Sequence, residues 1–406
     1  MKEHLIKLWN SNDIPIGVRV LTFATSIRWI GWGVAESLIP VFLFTFGHSY
    51  ANAGILKSFY DIAFILAIPL IGVLADRMRG TTIILIGLSF YIFVGTGYYL
   101  AGLTGLVIFI IIARFMNGLG YAFDSVGRET YFRRHTPKEK LATVFGYFDS
   151  VGIFWWIVAA LFGILLVKFF SIPLLLFLIT PTVLIAMFII WRFRKKEKQE
   201  VFSDDQKRAR FRDILRDFKA WDWRLKLLAS FNFFISFSVS SVYFFLPIEI
   251  YTQGGGYTPV IVMGVIMSLP ALLGWGLGNF FDRKGIRVFG YGLLCLAILL
   301  ALLGFITGYI WQIAIAFGIG IITELLWVGS QELMTLYTKP DHFGRVDGIS
   351  RSIDNAGDLI GPLLAGVVID IWGPDVTYFG MALLVMAMTA VFLVGSRHMK
   401  RKAINI

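Results

Sequence analysis

Apolar runs of about 20 residues recur twelve times along this chain, each followed by a short polar stretch. They fall near residues 20–45, 51–75, 82–101, 105–127, 142–167, 172–191, 226–250, 258–281, 288–309, 311–332, 345–370 and 376–396. Each run is long enough, as a helix, to cross the ~30 Å hydrocarbon layer of a bilayer. There the backbone must satisfy its own hydrogen bonds, so a continuous helix is the predicted element for every run. The pattern predicts an all-α polytopic membrane protein with 12 transmembrane helices. The longest polar interruption divides the runs six and six. It predicts an N-terminal six-helix bundle over 1–191, a linker over 192–225 and a C-terminal six-helix bundle over 226–406. Within the linker Phe211, Ile214, Leu215, Phe218 and Trp221 recur at i, i+3, i+4, i+7 and i+10 between charged residues. That spacing predicts an amphipathic helix on the membrane surface, with a partner-docking helix as the other reading.

Composition agrees. Hydrophobic residues make up 57% of the chain and charged residues only 16%, where a soluble domain carries about a quarter. Of the 37 Lys and Arg residues, 32 lie in the two termini and the even-numbered connections, while Lys168 is alone in the odd-numbered ones. By the positive-inside rule both termini face the cytoplasm, in a multi-pass protein of the cytoplasmic membrane. The net charge of +11 is then a topogenic signal that also meets anionic inner-leaflet lipids. Because the basic residues are scattered over seven short segments, nucleic acid is excluded as a partner. The long first run lacks a small-residue cleavage site, so a cleaved signal peptide is not expected. The single cysteine, Cys295, excludes an internal disulfide and a Cys-based metal site. Five histidines, none deep in a run, give no metal or proton-relay pattern; no metal, no cofactor and no catalysis is expected, and the chain is expected to be a monomer.

Ionisable residues nevertheless sit inside several runs. Arg28 and Glu36 are in the first, Lys57 and Asp61 in the second, Arg114 and Asp124 in the fourth and Asp149 in the fifth. Glu324 is in the tenth, and Arg351, Asp354 and Asp358 are in the eleventh. The third, sixth, ninth and twelfth carry none, and the seventh and eighth are almost free of core charge. A charge at membrane depth costs at least ~2.5–3.5 kcal/mol on insertion scales, so it persists only facing protein or a water-filled cavity. A pattern that spares every third helix marks the helices lining a polar pathway, which points to a transporter of a small-molecule substrate.

The two halves repeat each other. Gly72-Val-Leu-Ala-Asp76-Arg77-Met-Arg79-Gly80 closes the second run, and Gly278-Asn-Phe-Phe-Asp282-Arg283-Lys-Gly285-Ile-Arg287 closes the eighth, 206 residues later. Gly127-Arg-Glu129 with Pro137 is matched by Gly329-Ser-Gln-Glu332 with Pro340. Such duplication places a transport site where the repeats meet. At these residues the chain resembles the major facilitator superfamily, whose signature after the second helix is approximately G-x-L-A-D-R-x-G-R-K. Gly72, Leu74, Ala75, Asp76 and Arg77 match it, Arg79-Gly80 reverses its Gly-Arg order, and the second copy contributes Asp282, Arg283, Gly285 and Arg287. Arg114-Phe-Met-Asn-Gly118 is similar to the family's R-x-x-x-G motif. The family's antiporter pattern, normally in helix five, is found in helix eleven as Gly348-x8-Gly357-x3-Gly361-Pro362-x2-Ala365-Gly366. There its small residues let helices approach closely and Pro362 permits a kink.

The resemblance implies a secondary transporter working by alternating access. Leu38-Ile-Pro40-Val-Phe-Leu43 and the loop after it are similar to those of the drug/proton antiporters. They imply proton-coupled efflux of amphipathic compounds, with proton-coupled uptake of a sugar or small organic acid as the alternative. The coupling ion is a proton or sodium. A membrane-embedded lipid-modifying enzyme would need a convergent nucleophile or acid/base set near one leaflet, and none stands out. Asp76 with Arg77 and Asp282 with Arg283 are expected to act as gate latches, Asp76 accepting N–H groups at the start of helix eleven; a topogenic basic loop with an exposed cap is the other reading.

At 1.5 Å per residue, Glu36, Asp61 and Arg114 fall ~20–24 Å from the inner surface, and Arg28 and Asp149 ~10–12 Å. Arg28, Trp32 and Glu36 share one face of the first helix. Glu36 and Arg114 are the expected core of a substrate or proton site, since a carboxylate in a cavity can carry a proton that an opposed Arg displaces; a static ion pair is the alternative. Lys57 and Asp61, at i and i+4, are expected to neutralise each other. Asp347, Arg351, Asp354 and Asp358 form one stripe in which one Arg cannot neutralise three acids. Asp354 or Asp358, with Glu324, is therefore expected to serve protons or a cationic ligand. Asp124 is expected to be an interfacial charge. Trp29, Trp32, Trp155, Trp156 and Trp327 would suit an aromatic-lined cavity.

Overall fold

The computed structural model describes residues 14–75, 77–137, 140–194, 221–273, 277, 280–281, 283–284, 286–338 and 343–403. Every regular element among them is helical. We number the helices α1 (Ile16–Gly47), α2 (Tyr50–Ala75), α3 (Gly80–Thr104), α4 (Val107–His135), α5 (Leu141–Leu166) and α6 (Ile172–Arg194). Then follow α7 (Trp223–Ile250), α8 (Tyr257–Leu273), α9 (Arg287–Phe305) and α10 (Tyr309–Tyr337). The last helical segment, Phe343–Ala403, breaks at Gly373, whose φ of 87° lies in the left-handed region, directly before Pro374. It therefore holds two helices, α11 (343–372) and α12 (374–403).

Among the described residues ten stretches are long and apolar enough to cross a membrane, and one of them, Ile349–Gly395, carries both α11 and α12. With the shorter apolar α8, each of the twelve predicted runs has its helix. Large apolar side chains such as Phe162, Phe188 and Leu383 stay exposed, as lipid-facing residues do. Of the predicted linker helix, Phe211, Ile214, Leu215 and Phe218 lie outside the described residues.

The chain forms two compact units, one of Met1–Phe42 with Ile62–Arg208, the other of Leu43–Asp61 with Ala209–Ile406. In the first, α3 and α4 run together on glycines: a Cβ at Gly87 would lie 2.8 Å from the Gly120 carbonyl, and one at Gly80 2.8 Å from that of Gly127. Only glycine admits this approach, so the α3–α4 seam is backbone against backbone. Phe64, Ala67, Ile71 and Ala75 of α2 bury a stripe against Ile83 of α3 and Ala122 of α4. At the end of α2 the Arg134 side chain donates to the carbonyls of Ala75 (2.7 Å) and Met78 (3.2 Å), a cation satisfying the last acceptors of a helix.

In the second unit α11 lies along α7. Gly357 and Gly361 face the carbonyls of Phe233 and Phe237 so closely that a Cβ at either would overlap them. The other edge of α11 meets the start of α2, where Gly366 approaches the Tyr50 carbonyl and Gly54 the Pro362 carbonyl, each at 2.6 Å from an added Cβ. Here α2 has its N-terminal donors supplied from outside. Asp370 accepts the backbone N–H of Tyr50 on Oδ1 and of Ala51 on Oδ2, both at 2.9 Å, and Ser49 Oγ accepts that of Asn52 at 3.1 Å. Ala53 N–H begins the helical series on the Ser49 carbonyl at 3.1 Å. Three N–H groups that a helix start would leave orphaned are thus paired, two of them to a carboxylate on another helix.

Candidate functional site

The site in the first unit begins with a local break. Pro40 has no N–H to give the Glu36 carbonyl four residues back, so Ile39 N–H bonds it instead and Glu36–Leu38 becomes one turn of 3₁₀ helix. Glu36 stands at that turn, with its side chain exposed. Its Oε2 accepts the indole N–H of Trp156 on α5 at 2.7 Å. The position is fixed by contact next door, where Gly33 lies against the Trp156 carbonyl without room for a side chain. Arg28 and Arg114 both lie within Coulombic reach of Glu36, and Arg114 packs beside Tyr98.

Arg28 is held from the other side. Its Nη2 is 3.3 Å from Asp124 Oδ2, and its guanidinium lies 5.0 Å from the Tyr91 ring centroid. Asp124 also takes a short hydrogen bond from Arg128 Nη2, while Arg128 Nε bonds the Asp124 carbonyl at 3.2 Å. Asp124 is only 1% exposed, so the expectation of an interfacial charge is corrected. The tertiary packing of α1 onto α4 puts it between two arginines, which a depth count along α4 alone does not reveal. In this neighbourhood Arg28, Arg114 and Arg128 stand among the carboxylates of Glu36, Asp124 and Asp149. Two buried donors on the Glu36 face of α1, Arg28 Nε and Trp32 Nε1, have no hydrogen-bond acceptor. A buried N–H without a partner is uncommon and calls for a ligand or water.

The second unit collects a separate cluster. Lys57 Nζ bonds Asp61 Oδ2 at 2.9 Å, as the i, i+4 spacing predicts, and also reaches the backbone carbonyl of Asp358 at 2.5 Å. Asp358 has Lys57 and Asp61 within Coulombic reach and Ser240 beside it. The helix-eleven stripe thus has a second cation, Lys57 of α2, that its own sequence does not contain. Glu324 and Asp354 are half-buried and Arg351 is exposed, and Tyr243 lies within Coulombic reach of Glu324. Asp149 is exposed, with Arg128 and Glu129 near it. Of the motif residues, Gly72 has open space around it and Arg77 and Arg283 are exposed, whereas Asp76, Gly278 and Asp282 lie outside the described residues, as does the side chain of Asp347. Pro362 is inside the α11 helix, between the glycine contacts to α7 and those to α2. Trp155 and Trp327 are 40% and 58% exposed, which removes them from any enclosed cavity.

One buried carboxylate carried no weight in the sequence. Glu249 is one residue from the end of α7, where a charge reads as interfacial, yet it is 5% exposed. Its Oε1 accepts from Gln312 Nε2 (2.6 Å) and Gln253 Nε2 (3.1 Å), and its Oε2 from the Tyr378 hydroxyl (2.9 Å). A buried Gln at the start of the tenth run, Gln312, was the signal that could have found it.

Comparison with known proteins follows from this architecture. A crystal structure of the nucleoside transporter NupG aligns over 94% of this chain and 99% of its own, with a TM-score of 0.75 and 14% identity. A bacterial homologue of the human lysosomal transporter Spinster, inward-facing and occupied, aligns over 94% and 96% with a TM-score of 0.73 and 16% identity. The human organic anion transporter MFSD10 (TETRAN) aligns over 93% and 100% with a TM-score of 0.63 and 14% identity. At such identities the likeness is one of fold. Comparison with curated protein sequences finds no match. A sequence profile of the Major Facilitator Superfamily, however, matches residues 21–322 and again 277–405. Both repeats are thereby covered, and the chain is a multi-pass membrane transporter belonging to the Major Facilitator Superfamily.

Proposed function

We propose that this chain is a proton-coupled secondary transporter whose substrate and proton site is built around Glu36, Arg28 and Arg114. The observation that carries the reading is Glu36 itself, an exposed carboxylate at a helix break, bonded to Trp156 and faced by two arginines. A proton on Glu36 removes its attraction for the arginines, and an arginine drawn to the carboxylate displaces the proton, so substrate and proton compete for one set of contacts. The direction we propose is efflux of small amphipathic compounds, with Trp29, Trp32 and Trp156 supplying aromatic surface. The unpartnered donors Arg28 Nε and Trp32 Nε1 favour a second substrate reading, a small organic acid. In either case the protein works in the cytoplasmic membrane with both termini inside, as a monomer of two six-helix bundles over 1–191 and 226–406. Asp149, Asp61, Glu324, Asp354, Asp358 and Arg351 are further candidates on the proton or substrate path. Asp76 with Arg77 and Asp282 with Arg283 act as gate latches, and Gly357, Gly361 and Pro362 let α11 flex.

The test is flux in proteoliposomes carrying an internal pH dye, against a panel of amphipathic cations, sugars and organic acids. A substrate-dependent proton movement that Glu36→Gln abolishes supports the reading. Substrate flux with no proton movement for any member of the panel ends it.

A further inference from the structure

We propose that Glu249 is a second proton-binding group of this transporter, set among α7, α10 and α12 and separate from the Glu36 site. The inference rests on the proton-coupled reading above and adds a site to it.

Each of the other buried carboxylates in an ion pair has its cation: Asp61 has Lys57 and Asp124 has Arg28 and Arg128. Glu249 has only neutral donors, Gln253 at the end of its own helix, Gln312 from α10 and Tyr378 from α12. Among the described residues no Lys, Arg or His pairs with it. Asp375, at the start of α12, is the acid within Coulombic reach of it, and the uncharged Tyr50 hydroxyl, itself beside Asp370, stands on the α2 side. A carboxylate buried without a counter-ion, with a second carboxylate in reach, is favoured as the neutral acid.

A second observation points to the same ligand. Gln312 is 1% exposed and its Oε1 has no hydrogen-bond donor. With the carboxylate ionised, the amide must turn Nε2–H toward Glu249 and leave its own oxygen unserved. Protonation changes the inventory. A proton from water forms one O–H bond on the carboxyl, the charge goes from −1 to 0, and the new O–H can serve Gln312 Oε1 after an amide turn, or the Tyr378 oxygen. Release returns the proton to water, and no other bond is made or broken.

The site also has a mechanical outlet. Hydrogen bonds to an ionised acceptor are about twice as strong as neutral ones, so the charged form clamps the ends of α7, α10 and α12 together. Beyond Glu249 the chain makes a turn over Tyr251–Gly255, where Thr252 Oγ1 bonds the Glu249 carbonyl at 3.0 Å and meets the Tyr50 hydroxyl at 3.5 Å. Tyr50 in turn lies 5.8 Å from the Phe245 ring and carries one of the N–H groups held by Asp370. Loosening the clamp would therefore be felt at the start of α2.

The experiment compares full-length wild type with Glu249→Gln and Glu249→Asp in proteoliposomes. It reads uphill substrate accumulation under an imposed pH gradient, substrate exchange at equal pH, and the infrared band of protonated carboxylic acid against pH. We expect Glu249→Gln to retain exchange within about twofold, to lose at least tenfold in gradient-driven accumulation, and to lack one titrating acid band that Glu249→Asp keeps. Gradient-driven accumulation at the wild-type level with every acid band intact would overturn the proposal. Should Glu249→Gln fail to reach the membrane, Gln312→Leu decides: a wild-type acid band that shifts in this variant supports the site, and one unmoved in both position and midpoint overturns it. Wild type that moves no protons at all would refute the coupling reading, while the infrared band still decides whether Glu249 takes up a proton.

Discussion

Removing the carboxylate at Asp124 tests whether the arginines of α1 and α4 depend on it. Arg28, Asp124 and Arg128 are 4%, 1% and 6% exposed, and one carboxylate oxygen serves both guanidinium groups. Asp124→Asn keeps the shape and removes the charge, leaving two buried cations whose nearest anion is gone. Breaking a buried ion pair by deleting one partner typically costs ~3–5 kcal/mol, which at ~1.4 kcal/mol per decade is two to nearly four decades in the folded-to-unfolded ratio. The effect should shrink when Arg28 is neutralised in the same molecule, because Arg28→Gln/Asp124→Asn removes one cation together with the anion. The assay is a double-mutant cycle on equilibrium unfolding in mixed micelles, with retention of the size-exclusion peak after heating as a second measure. A coupling above ~1 kcal/mol between positions 28 and 124 is expected. A coupling indistinguishable from zero, with Asp124→Asn as stable as wild type, would refute the reasoning and mean that the arginines are neutralised elsewhere.

Other outcomes follow from the second unit. Gly361→Leu drives a side chain into the Phe237 carbonyl; overpacking of ~1–3 kcal/mol is expected, read as a lower midpoint of heat inactivation and lost flux. Asp370→Ala removes the acceptor of two helix-start N–H groups, a loss of ~1 kcal/mol. A cysteine placed at Ser49 should then react faster with a membrane-impermeant maleimide, and an unchanged rate would count against the cap. Lys57→Met should weaken the protein more than Lys57→Met with Asp61→Leu, since only the single variant keeps the buried carboxylate after removing the ammonium 2.9 Å from it; thermal midpoints of the two decide it.

The number and type of elements were legible because a bilayer allows a single-chain span few solutions: every run of adequate length had to become a helix. The Lys57–Asp61 pair was legible for a similar reason, being a consequence of helical spacing alone. The α1 break was half visible: Pro40 is in the sequence, but that the displaced turn would present Glu36 to Trp156 depends on how α1 lies against α5. Asp124 misled because depth along one helix says nothing about which neighbour covers it. Glu249 was passed over for the same reason at the helix end.

What the sequence by itself determined is the membrane class, the twelve runs, their duplication and the stripe of Arg28, Trp32 and Glu36, since all of these are periodicities within single segments. Tertiary structure alone decided the partners: Arg28 with Asp124, Lys57 with the Asp358 carbonyl, Asp370 with the start of α2, and Glu249 with three neutral donors. Apart from Gln253, four residues from Glu249, each is a contact between residues from 63 to 320 positions apart. Such contacts are set by which helix faces meet, and a charge inside a membrane takes its meaning from whatever it meets there.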